Sequence, residues 1–267
     1  MAGNTKALRV RIKSVTSTLQ LTKAMGLVAS SKIRRANDAM YKGREYAAAL
    51  TNSIALLTSS GECSKSPYMQ KRDNSRTKII VIAGDRGLAG GYNANIFRLA
   101  KEYPDAEFIP IGKRACERYG KAIVSSERFS FKDAMALADN LCADFAKGEF
   151  DRLGIIYTRY ISVMSQEAVL EWLLPFEKSE RNDGAGIIFE PDILTVLNNV
   201  VREYVAGMIT SLARESFASE VSARRMAMDS AGKNANQMIS NLQLEYNRAR
   251  QGAITQEITE IVAGSGN

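Results

Sequence analysis

The sequence predicts an α/β protein: a long antiparallel coiled coil of the N- and C-terminal helices, with an α/β lobe between them. Three observations predict it. No proline follows Pro191, and the interior glycines of the stretch from Asp192 to Gly264 are only Gly207, Gly232 and Gly252. Nothing there forces a break in a helix of about seventy residues, which would run on the order of 100 Å and needs a partner. Near the other end, steps of four and three residues from Leu8 meet Ile12, Val15, Leu19, Thr22, Gly26, Ala29, Ile33, Ala36, Met40, Gly43, Ala47, Leu50, Ile54 and Leu57. That heptad specifies a supercoil against another helix. Between the two ends, short β-branched runs alternate with helical patterns, the signature of a largely parallel sheet.

The first helix is expected over Thr5 to Thr58. Thr22, Gly26, Ala29, Ala36, Gly43 and Ala47 bury little surface compared with about 1.5 to 3 kcal/mol for each buried Leu or Ile. This part of the seam should therefore allow close axial approach while stabilising itself weakly. The polar segment from Ser59 to Arg76 contains Pro67 and reads as a loop. KIIVIAG, from Lys78, reads as a buried strand, followed by the glycine-rich DRGLAGGYNANIFRLAKEY that turns into a helix. Glu107 to Gly112 is a second strand, RACERYG a short helix, and Asp133 to Lys147 a longer one with Ala136, Leu137, Leu141, Phe145 and Ala146 as its apolar side. RLGIIYTRY and SQEAVLEWLLPF are two further strands expected to pair as an edge hairpin, and GIIFEPD leads into the last helix. The middle is thus a Rossmann-like α/β lobe. Residues 1–58, 76–190 and 192–267 are the expected divisions.

The total charge of +7 is concentrated. Residues 1–44 hold Lys6, Arg9, Arg11, Lys13, Lys23, Lys32, Arg34, Arg35, Lys42 and Arg44 against one acid, Asp38, a balance of +9 that leaves −2 for the remainder. A helix so one-sided suits nucleic acid, an anionic membrane surface or an acidic protein partner. No run of eighteen apolar residues occurs and the N-terminus lacks an apolar signal core, so a cytosolic protein is expected. Cys63, Cys116 and Cys142 are odd in number, widely spaced and accompanied by no histidine, which points to free thiols rather than disulfides or zinc.

Catalytic patterns are sparse. AGDRGLAGG, residues 83–91, sits between a strand and a helix as a phosphate-binding turn would, but it is not GxxxxGK[ST] and fits GxGxxG only loosely. The plain alternative is a tight turn in which Gly87, Gly90 and Gly91 supply unusual backbone angles. With no histidine, the commonest general base is missing, and GxSxG and HExxH are absent too. In the last helix Arg224, Arg225, Asn241, Gln243, Asn247, Arg248, Arg250, Gln251, Thr255 and Glu257 alternate with Met226, Met228, Leu242, Tyr246, Ile254, Ile258 and Ile261. Either this is an ordinary coiled coil with a solvated back, or its polar side is read by an enclosing protein; periodicity does not choose.

At these residues the sequence resembles the γ subunit of F-type ATP synthases. Ile254, Thr255, Glu257, Glu260 and Gly264 match that family's C-terminal signature, and YNRARQGAITQEITEIVAG resembles its surroundings. LTKAMGLVASSKIRRA (residues 21–36), DRGLAGGYN (85–93) and ASEVSARRMAMDSA (218–231) are similar to further family segments. The chain departs from the family at Ser265, where alanine is usual, and has no match to the chloroplast form's cysteine-bearing insert, so thiol control is not expected. The resemblance implies a non-catalytic central rotor without cofactor or metal, turned by the membrane c-ring inside the hexamer of α and β subunits and accompanied by the ε subunit. It implies a peripheral position on the cytoplasmic face of the bacterial plasma membrane, no nucleic-acid partner, and contacts to β-subunit loops by Thr22, Lys23, Met25, Arg224, Arg250, Gln251, Thr255 and Glu257. A basic coiled-coil adaptor for nucleic acid or membranes and a nucleotide-binding enzyme with helical arms are the competing readings.

Overall fold

The computed structural model describes residues 2–72, 76–122, 124–180 and 188–264, with backbone alone at residues 2–4 and 257. Five α-helices and four strands follow one another as α1 (Ala2–Thr58), β1 (Thr77–Ile82), α2 (Tyr92–Ala100), β2 (Glu107–Ile111), α3 (Lys113–Tyr119), α4 (Phe131–Lys147), β3 (Arg152–Tyr160), β4 (Gln166–Leu174) and α5 (Ile193–Gly264). The chain divides into two compact units, Met1–Ser30 with Arg224–Asn267, and Ser31–Ala223. Parts of α1 and α5 belong to each.

In the first unit the described residues form two antiparallel helices and nothing else. Contacts fix the register: Arg9 Nη2 donates to Tyr246 Oη at 2.9 Å, and a methyl at Gly232 would touch Leu19 and Thr22 at 3.9 Å. The expected heptad holds, since Leu8, Ile12, Val15, Leu19, Thr22, Gly26 and Ala29 are all buried or half-buried. Its counterpart on α5 is Met228, Gly232, Ala235, Ile239, Leu242, Tyr246, Ala249 and Ala253, again in steps of four and three and all at least half-buried. That seam differs from the apolar set read off the sequence. Met226 is only half-buried, and Ile254, Ile258 and Ile261 are exposed at 47%, 56% and 70%.

The Ser31–Ala223 unit is built on a sheet of order β2-β1-β3-β4, in which β1 pairs parallel with β2 and β3, and β3 with β4 forms the expected antiparallel edge hairpin. Both faces of β1 are buried, as continuous apolar strands in parallel sheets require. Ile80 and Ile82 join α4 and α5 in one core, while Ile79 and Val81 join α2 and α3 in the other. Between Tyr204 and Ser222 every residue of α5 except Arg214 and Phe217 is buried, so here the helix is itself part of the core.

Two local readings are corrected. The segment after α1 is more than a polar loop: it forms 3-10 turns at Gly61–Lys65 and Pro67–Met69, with Cys63, Ser66 and Tyr68 buried. Tyr68 stacks on Phe145 and donates its hydroxyl to the Cys142 carbonyl, so one aromatic residue draws the segment into the core. On α4 the buried side is Ala134, Ala138, Leu141, Cys142 and Phe145, whereas Ala136 and Ala146 are exposed. The helix starts earlier than expected because Ser130 and Asp133 form a reciprocal capping box.

Candidate partner interface on the terminal helices

The glycine-rich turn is closed by its own chain. Asp85 accepts hydrogen bonds from the Ser125 hydroxyl and from the N–H groups of Lys113, Ser126 and Glu127, and Asn93 Oδ1 accepts the Gly84 N–H at 2.9 Å. Burial by itself would raise the Asp85 pKa, but these four donors outweigh it and hold the carboxyl below its usual range. Open α/β sheets bind ligands in the crevice at the carboxyl ends of adjacent strands. Here α5 fills that crevice. Ser216 Oγ accepts the Thr158 N–H and meets the Tyr92 hydroxyl, Ser219 Oγ donates to the Thr158 carbonyl, and a methyl at Gly84 would lie 2.8 Å from the Glu220 carboxylate. Gly112, at φ 98°, packs so close to the Ala83 carbonyl that any side chain would overlap it. Gly84 and Gly112 thus serve close packing, while within the turn Gly90 supplies a positive φ of 59°.

The helix pair of the first unit offers a different surface. Where the seam is built from Thr22, Gly26 and Gly232, a shallow groove of about 400 Å³ opens, edged by Lys23, Arg225, Asp229 and Lys233. Lys233 and Asp229 pair at 2.8 Å, while Lys23 and Arg225 stand exposed. Exposed apolar side chains line α1 at Val10, Leu21, Leu27 and Val28, at 57% to 72% exposure. Antiparallel register puts the start of α1, Ala2, opposite about residue 252 of α5, so residues 253–264 extend with no facing helix among the described residues. This overhang carries Ile254, Ile258, Ile261 and Val262 exposed along a helical stripe.

A family model described as ATP synthase matches residues 4–266, nearly the whole chain. The ATP synthase gamma chain of Ruminococcus albus is 40% identical over 283 aligned positions, covering 99% of both chains. The chain belongs to the ATP synthase γ-chain family. The ATP synthase gamma chain, sodium ion specific, of Acetobacterium woodii is 36% identical and the ATP synthase gamma chain of Geotalea daltonii 37%, each over at least 97% of both chains. The fold is shared with a chain of the Euglena gracilis mitochondrial ATP synthase at TM-score 0.71 and 18% identity, over 99% of this chain and 94% of that one. A chain of the Tetrahymena thermophila central stalk and c-ring assembly aligns at TM-score 0.64 and 23% identity, over 79% of this chain and 99% of that one.

The family residues carried over from the sequence fall into two groups on the helix pair. Thr22, Lys23 and Met25 lie within one turn of α1 and Arg224 faces about residue 30 in the same register, with Thr22 buried in the seam, Met25 and Arg224 half-buried and Lys23 exposed. Arg250, Gln251 and Thr255 are exposed about 40 Å further along α5, counting 1.5 Å per residue. Thr255 Oγ1 bonds back to the Gln251 carbonyl at 3.0 Å. The Glu257 side chain and residues Ser265–Asn267 lie outside the described residues. Sequence reasoning missed Arg225 and Lys233 as neighbours of Thr22 and Lys23. The signal was present, since both lie within one turn of Gly232 and Met228 on the true seam. No helix among the described residues is long and apolar enough to cross a membrane.

Proposed function

We propose that this chain is the central rotor stalk of an ATP synthase, transmitting rotation between a membrane c-ring and a catalytic hexamer of α and β subunits while holding no catalytic group of its own. The observation that carries the reading is the two-helix unit: a seam of Thr22, Gly26, Ala29, Gly232 and Ala235 keeps it thin, and nearly every other side chain is turned outward. A shaft inside a bore must be narrow, stiff along its length and able to exchange contacts as it turns. Continuous backbone hydrogen bonding supplies the stiffness. Exposed guanidinium, amide and hydroxyl groups supply contacts that re-form with successive partners. Residues 1–58 and 192–267 form the shaft and 76–190 the lobe that meets the ε subunit and the c-ring, on the cytoplasmic face of a bacterial plasma membrane.

Thr22, Lys23, Met25, Arg224, Arg250, Gln251, Thr255 and Glu257 touch the β-subunit loops in this reading. A Lys23 or Arg250 charge about 4 Å from an acidic loop would gain roughly 1 kcal/mol in water and about 4 near a protein surface, before desolvation is subtracted. Those magnitudes suit contacts that must break on each step. The test is Met25→Lys in the assembled enzyme. Because Met25 is only half-buried, the added charge should leave assembly intact and lower ATP-driven ion pumping several-fold relative to ATP hydrolysis. Unchanged pumping per ATP would refute the assignment. Substantial ATP hydrolysis by the purified chain alone, or an affinity for duplex DNA that exceeds that for the hexamer and falls steeply with salt, would overturn the rotor reading itself.

A further inference from the structure

Within the Ser31–Ala223 unit a cavity of about 470 Å³ opens between the Ser31–Ala39 stretch of α1, the Ala213–Phe217 stretch of α5 and the loop before α4. That volume lies in the range of small-molecule sites. Its lining is two-sided. Phe129 and Phe217, with alanines between them, make an apolar wall, and Lys32, Arg35 and Arg214 bring three cations to the rim. The one acid is Glu127, which pairs with Lys32 at 2.5 Å. Arg35 and Arg214 form no ion pair among the described residues. Ser126 completes the lining. Its residue is 7% exposed and its N–H is taken by Asp85, and its Oγ is closed off from solvent without a hydrogen-bond partner, so the polar face of the cavity is made by its cations. Buried hydroxyls are ordinarily paired, because an unpaired one forfeits its hydration without recompense.

We infer that this cavity binds an amphipathic organic oxyanion, its flat apolar body against Phe129 and Phe217 and its phosphate or carboxylate head on Arg35 and Arg214. Two guanidinium forks match the several acceptor oxygens of such a head, and apolar walls alone would not discriminate it from a neutral ring. Glu127 competes with the ligand for Lys32, which makes the site self-shielding when empty. The inference rests on this cavity and is independent of the rotor reading.

Calorimetry on the full chain with 1-naphthyl phosphate, 1-naphthoate, inorganic phosphate and neutral 1-naphthalenemethanol tests it. Both naphthyl anions should bind at least about tenfold more tightly than the alcohol and than free phosphate, and the better of the two identifies the head group. Arg35→Glu with Arg214→Glu, both exposed positions, should abolish that preference, while Glu127→Gln should strengthen binding by freeing Lys32. Ser126→Ala is the control: it should raise the melting temperature of the ligand-free chain by removing the orphan hydroxyl and leave the preference for the anions unchanged, since that oxygen does not reach the ligand. Equal affinity for the alcohol, or binding unchanged in the double arginine variant, would overturn the proposal.

Discussion

The heptad that begins at Leu8 continues to Leu57, and α5 answers it along its whole length, but the two units use the same seam in opposite ways. In the Ser31–Ala223 unit α5 is enclosed: Thr210, Ser211, Glu215, Ser216, Ser219 and Glu220 are buried, and Glu215, Ser216 and Ser219 bind the last residues of β3 while Glu215 also holds Arg44 of α1. In the Met1–Ser30 with Arg224–Asn267 unit, the same two helices have only each other among the described residues, and every described α5 side chain off the seam beyond Asp229 is exposed or half-exposed. A helix stripe needs about 100° of apolar arc to be held by a core but far less to be held by one partner. The comparison teaches that pairing alone suffices for a strut, whereas anchoring a strut in a lobe takes buried polar contacts in addition.

The largest test of that difference is at Arg44. Its guanidinium holds Glu215 through Nε at 3.1 Å and Nη2 at 2.7 Å and also donates to the Tyr160 carbonyl, while Glu215 is 4% exposed and accepts the Tyr160 N–H. Arg44→Ala strands a buried carboxylate and should cost about 3 to 5 kcal/mol by chemical denaturation. Arg44→Lys should recover only part of this, lacking the fork. By contrast Arg9→Ala, across the exposed contact with Tyr246, should cost less than about 1 kcal/mol. Comparable losses at the two arginines would break the distinction.

Glycine substitution sharpens it next. A methyl at Gly207 would collide with Leu50 and lie 2.9 Å from Tyr46, so Gly207→Ala should destabilise the chain by about 1 to 3 kcal/mol. Asp85→Asn probes the polar anchoring of the lobe and should cost about 1 to 2 kcal/mol, discounted because the carboxylate is only partly buried. Since its folded pKa is depressed, the stabilisation is present above the ordinary carboxylate range and is lost as pH falls through the folded value. Melting curves from about pH 7 down to about pH 3 should therefore fall less steeply in the asparagine variant. The smallest effect is of opposite sign. At Gly232 a methyl meets Leu19 and Thr22 at an ordinary 3.9 Å, so Gly232→Ala should stabilise by about 0.5 to 1 kcal/mol through helix propensity. Thermal unfolding that showed both glycine variants moving stability the same way would remove the contrast between the units.

Much of the fold was legible because its signals are local. The strand spanning 152–160, the edge hairpin and the seam of α1 follow from period and composition over a few residues. The apolar face of α4 was misplaced because Ala136 and Ala146 look as apolar as Ala134 and Ala138, and only packing against β3 and α5 tells them apart. Likewise the buried segment around Tyr68 reads as polar; one aromatic contact with Phe145 outweighs its composition. At the candidate interface the residue types were visible, but the arrangement was not. Lys23, Arg225 and Lys233 become neighbours only through the antiparallel register, and Ile258 and Ile261 look like seam residues until α1 is seen to end opposite about residue 252.

By itself the sequence determined that both ends are long helices, that α1 presents a small-residue heptad, that the middle alternates strand and helix, and that no histidine is available for chemistry. Those properties depend on backbone propensity and short-range periodicity, which each residue carries wherever it sits. The tertiary structure alone decided that α5 occupies the crevice above the sheet, that Glu215 and Arg44 find each other, and that Arg35 and Arg214 border one cavity with Phe129 and Phe217. Such relations join residues far apart in the chain. Their energies arise from desolvation and close contact, which exist only once the distant segments have met.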